Sequence, residues 1–225
     1  MAFINTGRPY HHIDQRVIDI GFDGFICSCG SYIRYKDEVI YCKTLDQKLC
    51  TRTVELIRKC KLDAKYETID GVYFDLAHPM DRIILDEKYY MEAMGFDTTS
   101  SIDSIGYTFD KFVFWIREDS NLSLFKEVAS KDFDLIFRKP PMVEVVPRGL
   151  SKATGMEFLL IHLHASKEDT YAFGDGHNDL PMLLYAGTSI LMGSGATDLF
   201  DKVSYVTKGI MENGIEFALK QYGLI

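Results

Sequence analysis

Apolar residues follow one pattern at both ends of this chain and another pattern between them, and this contrast limits the folds open to it. From residue 149 onward, short apolar runs alternate with segments of helical periodicity. Such alternation is typical of a parallel sheet whose strands are joined by helices. It predicts helices at 151–166, 178–186 and 211–222, and strands at 170–173, 189–192 and 205–207.

The first thirty residues repeat this alternation. They predict a strand at 2–5, a helix that begins at Pro9 and ends at Gly21, and a second strand at 24–28. We therefore expect both ends of the chain to form one α/β body with a doubly wound, Rossmann-like parallel sheet.

The middle of the chain has the sequence pattern of an α+β domain, in which hairpins and helices follow one another. We predict that residues 35–140 form such a domain, inserted into a body of residues 1–34 and 141–225, with the chain crossing near Tyr35 and near Pro140-Pro141. The predicted elements are hairpins at 32–35 with 39–42 and 65–68 with 72–76, a helix at 46–61, and strands at 112–116 and 135–138.

The charge balance and the apolar pattern exclude several partners. The 225 residues include 25 basic and 33 acidic side chains, which gives a formal net charge of −8. Because nucleic-acid binding needs clustered Lys and Arg, we expect no nucleic-acid partner. No window reaches the roughly 18 apolar residues of a membrane span, so we expect no membrane partner. The first residues resemble no secretion signal, which predicts a cytoplasmic location, and the oligomeric state stays open.

The five cysteines lie in the first sixty residues, and their odd number favours reduced thiols. Cys27 and Cys29 are compatible with half of a metal site or with small apolar side chains near a strand end. No second closely spaced Cys or His pair completes a metal site, which favours the second interpretation.

The stretch Phe173-Gly174-Asp175-Gly176-His177-Asn178-Asp179 follows a predicted strand and opens a predicted helix. Ligands of open α/β sheets bind at this end of the strands, and the glycines permit a tight turn there. Asp175 and Asp179 are hard oxygen ligands of the kind that suits Mg²⁺ with several waters retained. Asn178 adds an uncharged donor for a phosphate oxygen.

Two alternatives compete for this stretch. An EF-hand loop would need Glu where the chain has Ala186, so that alternative fails. A helix-capping turn, with Asp179 as N-cap and Pro181 shortly inside the helix, explains one acid but neither the glycines nor Asp175.

Two further segments have the chemistry of an anion site. Thr6 and Gly7, in Asn5-Thr6-Gly7-Arg8-Pro9, offer a hydroxyl and accessible backbone N–H groups where a strand meets a helix, although a simple turn before Pro9 explains them as well. Lys152 begins a predicted helix, where its charge opposes the macrodipole and suggests an anion to neutralise; a solvated surface lysine is the alternative.

An anion cradle, an ammonium and a carboxylate pair for Mg²⁺ are the parts of a phosphoryl-transfer site. On these motifs the chain resembles the haloacid dehalogenase superfamily, and in particular its class IIB or Cof-like Mg²⁺-dependent phosphatases. The resemblance covers nearly the whole chain. It includes Thr-Gly-Arg-Pro near the start, Pro-x-Gly-x-Ser-Lys before residue 153, Gly-Asp-Gly-x-Asn-Asp at 174–179, and Met192-Gly193.

The resemblance implies a Rossmann-like core with a mobile C2-type cap, and it assigns roles to four residues. Thr6 would be the phosphate-binding hydroxyl and Lys152 the catalytic lysine, while Asp175 and Asp179 would bind Mg²⁺. Gly7 and Asn178, proposed from their own chemistry, would join Thr6 and Lys152 in contacting the substrate. The activity implied is hydrolysis of small phosphomonoesters such as sugar phosphates, through an aspartyl-phosphate intermediate.

The chain departs from this family at its first motif. The family's enzymes begin with an Asp-x-Asp-Gly-Thr strand whose first Asp attacks phosphorus, and nothing before Met1-Ala2-Phe3 matches it. Asp23-Gly24 looks similar, but it precedes a predicted strand instead of following one, so we reject Asp23 as the nucleophile. We therefore expect this chain to be a truncated, inactive phosphatase, or alternatively a non-catalytic remnant that binds a phosphorylated ligand or a partner.

Overall fold

The computed structural model describes residues 1–138 and 140–225, which form two compact units, Met1–Leu150 and Ser151–Ile225. Each unit contains a pair of parallel strands, as the alternating pattern at the chain ends predicts. The mixed α/β class is confirmed. The predicted division into a body of residues 1–34 and 141–225 with an insertion at 35–140 stays a prediction.

A four-stranded sheet opens the first unit. Its strands are β1 (Phe3–Asn5), β2 (Gly24–Cys27), β3 (Tyr32–Tyr35) and β4 (Glu38–Cys42), in that order. β1 and β2 are parallel, whereas β3 and β4 form the predicted hairpin and pair antiparallel. The sheet that begins with β1 therefore continues through Cys42.

The predicted helix from Pro9 to Gly21 is wrong as a continuous element. A 3₁₀ turn covers Tyr10–His12, and a short helix, α1, covers Gln15–Ile18. The Asp14 carboxylate accepts the backbone N–H of Arg16 at 2.9 Å. This bond caps α1, which begins as a separate helix. Short polar side chains favour such caps over the helix interior, so Asp14 divides the segment in two.

The rest of the first unit is built on a five-stranded antiparallel sheet with strand order β6-β5-β7-β9-β8. The hairpin of β5 and β6 and the strands β7 and β8 were predicted, with ends that differ by a few residues. The strands are β5 (Leu62–Glu67), β6 (Val72–Phe74), β7 (Lys111–Ile116), β8 (Phe133–Phe137) and β9 (Met142–Pro147).

One face of this sheet carries the larger apolar core of the unit. Because side chains alternate along a strand, Leu62, Ala64 and Tyr66 of β5 share that face. Helices α2 (Gln47–Lys59) and α4 (Leu122–Ala129) supply buried apolar residues to the same core.

The opposite face divides into an apolar half and a charged half. Helix α3 (Arg82–Ala93) contributes Ile84 and Met91 to an apolar cluster with Val113 and Trp115. The charged half is formed by Lys65, Glu67, Lys111 and Glu144, all of which are buried. Burial of so many charges requires mutual pairing, which these four side chains provide.

The second unit has a three-stranded parallel sheet, ordered β10 (Tyr171–Gly174), β11 (Thr188–Leu191) and β12 (Tyr205–Val206). The predicted strands are confirmed to within about two residues. Helices α5 (Lys152–Leu163), α6 (Leu180–Tyr185) and α7 (Gly214–Gln221) complete the unit. Its core comprises Ala172, Met182, Leu183, Leu191 and Leu199.

The helices are short compared with the span of a bilayer. α2 has 13 residues, whereas a membrane crossing takes about 20. Within residues 1–138 and 140–225, no helix has the length and apolar character that a membrane crossing requires.

His11 and His12 are half-buried beside Phe96, with the His12 ring centroid 4.5 Å from that of Phe96. Burial lowers the pKa of His12 to about 4, although the neighbouring Glu67 carboxylate opposes the shift. Between this value and the ordinary histidine pKa of about 6.5, the folded protein binds fewer protons than the unfolded chain. His12 therefore reduces stability as the pH falls through that range.

Phe112 is the aromatic centre of the larger core. It is fully buried, and its ring lies within 6.5 Å of five other aromatic rings. We expect Phe112→Ala to lower the free energy of unfolding by about 3–5 kcal/mol, because it leaves a cavity among rings that cannot close it. Chemical denaturation measures the change. The half-exposed Phe137, changed to Ala, is the control, and equal losses from both substitutions would contradict this account of the core.

His12→Phe keeps a ring against Phe96 and removes the titrating nitrogens. We expect the melting temperature of the unsubstituted protein to fall more between about pH 7 and about pH 5 than that of His12→Phe, since only the former has an imidazole that stays neutral when folded and takes up a proton on unfolding. Calorimetry at both pH values measures the difference. Identical pH profiles for the unsubstituted protein and His12→Phe would refute the prediction.

Candidate active site

A closed turn joins β10 to α6 in the second unit. β10 ends at Gly174, and the chain then folds back so that Asp179 faces the start of the turn. One oxygen of its carboxylate, Oδ2, accepts the backbone N–H groups of Asp175 and Gly176 at 2.9 and 3.0 Å. The turn is thus closed by its own last acid at the carboxyl end of a parallel strand.

The two glycines of this turn are not equivalent. A Cβ on Gly174 would lie 2.6 Å from the Cβ of Asp179 and 3.1 Å from the Leu183 side chain. A Cβ on Gly176 would meet only the Asn178 amide oxygen, at 3.2 Å. The close approach that the sequence predicts therefore requires glycine at Gly174 far more strictly than at Gly176.

The helix-capping alternative does not describe Asp179. The residue occupies the N-cap position of α6, with Pro181 just inside, but its side chain makes no capping hydrogen bond to the helix. Its carboxylate bonds backward to the turn and sideways to Lys152. The side chain therefore organises the loop and leaves the start of α6 to Pro181.

Lys152 and Asp179 form a buried ion pair in which the ammonium contacts Oδ1 of the carboxylate. Lys152 is 8% exposed and Asp179 is 3% exposed, so the alternative of a solvated surface lysine is wrong. Lys152 is the first residue of α5, and a capping box of Ser151 and Thr154 satisfies the backbone around it. The residue thus resides at an unfavourable helix position because Asp179 neutralises it.

The two carboxyls of the turn have opposite electrostatic environments. Burial acts to raise the pKa of Asp179, but the Lys152 ammonium and the two backbone N–H groups outweigh it, so that the pKa is lowered. Partial burial and the neighbouring Asp179 carboxylate raise the pKa of Asp175, whose side chain is exposed. The Lys152 ammonium thus outweighs burial at Asp179 but not at Asp175.

This pair is consistent with a divalent cation that keeps most of its water. Across the described residues, no group of three or more His, Cys, Asp or Glu side chains is gathered as a metal site. Mg²⁺ is commonly held by one or two carboxylates plus water and substrate oxygens. An exposed Asp175 with a raised pKa beside Asp179 fits such an ion.

Thr6 and Gly7 lie in the first unit, directly after β1. The Thr6 carbonyl accepts the N–H of Cys29 at 3.2 Å, and the Arg8 carbonyl accepts the N–H of Ser28 at 2.9 Å. A Cβ on Gly7 would lie 2.8 Å from Oε1 of Glu144, so a larger residue there would have to displace that carboxylate. The loop of residues 6–8, named here the Thr6 loop, is therefore held rigidly at the carboxyl end of a parallel strand.

Asp23 lies at the wrong end of the sheet for a nucleophile beside Thr6. It precedes β2, which pairs in parallel with β1 in the register Phe3 with Gly24. Its carboxylate accepts the N–H of Ala2 at 2.7 Å, at the start of both strands. The three residues of β1 span roughly 10 Å, so Asp23 lies about that far from the end of the strand where Thr6 lies.

The structure thus brings Lys152, Asp175 and Asp179 together in one unit, with the half-buried Asn178 in the same turn. Thr6 and Gly7 belong to the other unit. The sequence reasoning missed Lys111 and Glu144, which contact the Thr6 loop from the charged half of the five-stranded sheet. The one sequence signal for them is a charged residue within or beside an apolar strand run.

Comparison with known proteins places these features in context. Residues 1–219 match the family of haloacid dehalogenase-like hydrolases. The putative phosphatase YkrA of Bacillus subtilis is 27% identical over 229 residues, covering 100% of this chain and 85% of the relative. The 5-amino-6-(5-phospho-D-ribitylamino)uracil phosphatase YitU of the same organism is 24% identical, covering 97% of this chain and 83% of the relative.

Solved structures show the same fold. A HAD subclass IIB sugar phosphatase has 26% identity and a TM-score of 0.80, covering 99% of this chain and 85% of that chain. A hypothetical protein from Geobacillus kaustophilus has 24% identity and a TM-score of 0.82, with the same two coverages. The Rossmann-like core with a cap, expected from the sequence, is the fold of these neighbours.

Removal of the buried ammonium tests the ion pair. We expect Lys152→Met to lower the free energy of unfolding by about 3–5 kcal/mol, because Asp179 is left as a buried carboxylate without its counter-ion. The matched control is Lys220→Met, which removes an exposed lysine 2.6 Å from Glu216 and should change stability little. Urea denaturation measures both. Similar small effects of the two substitutions would contradict the role given to Lys152.

Proposed function

The chain belongs to the haloacid dehalogenase-like hydrolases, and we propose that it carries the phosphate-binding and Mg²⁺-binding parts of a phosphatase for small phosphorylated metabolites. The observation that carries this proposal is the turn after β10. There a buried lysine pairs with one carboxylate, and a second, exposed carboxylate with a raised pKa lies beside it. Such an arrangement suits a cation that binds a dianionic ester.

Each residue of the candidate site has a proposed part in binding. Asp175 and Asp179 would hold Mg²⁺, which when bound supplies positive charge to the phosphoryl oxygens. The Thr6 hydroxyl, the backbone of Gly7 and the Asn178 amide would bind those oxygens directly. Lys152 orients Asp179 through the buried pair and adds positive charge at the same edge of the sheet.

The proposed reaction passes through an aspartyl-phosphate, and its attacking carboxylate is not among the residues that the motifs identify. Asp23 is at the opposite strand end from Thr6. We therefore propose that the 225-residue polypeptide binds Mg²⁺ and phosphate but hydrolyses esters little by itself. A non-catalytic phosphate-binding role is the alternative.

The substrate class is proposed from similarity and from chemistry. Names of similar proteins include a sugar phosphatase and a ribitylaminouracil phosphatase, both acting on small phosphate esters. The net charge of −8 makes a large polyanion a poor ligand. The predicted insertion at 35–140 would act as the cap that selects the organic part of the ester, in a cytoplasmic protein.

Phosphate binding and ester hydrolysis, measured on the same protein, test the proposal. We expect calorimetry to detect inorganic phosphate binding that depends on Mg²⁺ and is weakened about tenfold or more by Asp175→Ala, because the ion loses its exposed ligand. With p-nitrophenyl phosphate we expect turnover near background. Asp201→Ala removes an exposed acid outside the turn and should leave phosphate binding unchanged.

Each contrary result has a distinct meaning. Clear turnover that Asp175→Ala abolishes would show that another carboxylate serves as the nucleophile, and our rejection of Asp23 would be wrong. Phosphate affinity that ignores both Mg²⁺ and Asp175→Ala would overturn the proposed site.

A further inference from the structure

A buried ammonium contacts the Thr6 loop from the five-stranded sheet. Lys111, the first residue of β7, is 3% exposed, and its Nζ donates to the Gly7 carbonyl at 2.7 Å. The same Nζ donates to Oε1 of Glu144 at 2.5 Å and lies 3.3 Å from Oε2 of Glu67. The side chain is therefore fixed by two carboxylates and directed at one backbone carbonyl.

The charge on Lys111 is maintained despite its burial. Burial by itself would lower the pKa of Lys111, but Glu67 and Glu144 raise it above its ordinary value. Glu144 is held in turn by Arg138 and by the Cys29 thiol, which donates to Oε1 at 3.3 Å. The Gly7 carbonyl thus faces a full positive charge at a site with little water.

The Gly7 carbonyl and the Arg8 N–H belong to one peptide group, so a charge on the first polarises the second. The Arg8 N–H donates to Oγ1 of Thr6 at 3.1 Å. A hydroxyl has one donor and two acceptor lone pairs. When Oγ1 accepts from Arg8, the hydroxyl proton of Thr6 is directed toward a different acceptor, which suits donation to an anion.

We propose that Lys111 is a positioning residue for the Thr6 hydroxyl, acting through the peptide group between Gly7 and Arg8. The ammonium fixes that peptide group, whose N–H in turn fixes the orientation of the hydroxyl that binds phosphate. This inference rests on the proposed role of Thr6 as a phosphate ligand. It adds Lys111, which lies 104 positions from Gly7 in the sequence and to which the similarity assigns no role.

The test is a double-substitution cycle on phosphate binding, which does not need a nucleophile. Inorganic phosphate is titrated in the presence of Mg²⁺ into the unsubstituted protein, Thr6→Val, Lys111→Met and the combined variant. We expect Thr6→Val to weaken binding about tenfold or more, and Lys111→Met about threefold or more. The combined variant should bind within about twofold of Thr6→Val, because Lys111 acts through the hydroxyl that is already absent.

Lys65→Met is the matched control. Lys65 is a buried lysine of the same charged half of the sheet, paired with Glu67 at 3.3 Å and Glu87 at 2.6 Å, and no hydrogen bond joins it to the Thr6 loop within the described chain. Its loss removes the same charge from the same cluster. We expect phosphate affinity within about twofold of the unsubstituted protein, which separates positioning from a general loss of positive potential.

Amide hydrogen exchange supplies a readout that a purely structural effect would not move selectively. Lys111→Met should accelerate exchange at the Arg8 amide, while Lys65→Met should not. If Lys111→Met fails to fold, the double variant of Lys111→Met with Glu144→Gln removes both charges of the closest pair. This double variant then takes the place of Lys111→Met in the cycle.

The outcomes separate the two proposals. If the unsubstituted protein has no Mg²⁺-dependent phosphate affinity, the proposed function fails and this inference falls with it. If Thr6→Val weakens binding while Lys111→Met does not, only the positioning role is overturned. Additive effects in the combined variant, or equal effects of Lys65→Met and Lys111→Met, would also overturn it.

Discussion

The buried contact between Lys152 and Asp179 is the interaction on which the candidate site depends. A carboxylate with so little exposure is stable only if each of its oxygens has a partner, and here one meets an ammonium while the other meets two backbone N–H groups. This single side chain therefore joins the start of α5, the end of β10 and the start of α6. The backbone N–H of Asp175 bonds to the same carboxylate, and its own side chain is exposed.

Local chemistry explains which parts could be predicted from the sequence. The turn at 174–179 was predictable because a strand pattern, two glycines and two acids fall within seven residues, and each constrains the next. The parallel strands followed from their short apolar runs. The helix expected from Pro9 to Gly21 was wrong because one capping residue, Asp14, outweighed the periodicity around it.

Contacts between distant segments explain what could not be predicted. Lys111 and Gly7 are 104 residues apart, and nothing near either residue indicates the other. Glu144 interrupts the apolar run of β9, and a single sequence shows the interruption without its partner. The burial of Lys152 was likewise hidden, because an isolated lysine at a helix start looks the same whether it is solvated or paired. Pairing across sheets is a tertiary property, so only coordinates reveal it.

The charged half of the five-stranded sheet has a consequence for sequence variation. Lys111 and Glu144 are both buried and neutralise one another, so replacement of either alone leaves an uncompensated charge in a dry environment. Replacement of both together by apolar residues of similar volume removes one charge of each sign, and it leaves Glu67 paired with Lys65 and Arg138 partly exposed. Homologous chains should accordingly show correlated substitution at these two positions, and a chain that has lost both should also tolerate a side chain where Gly7 now lies against Glu144.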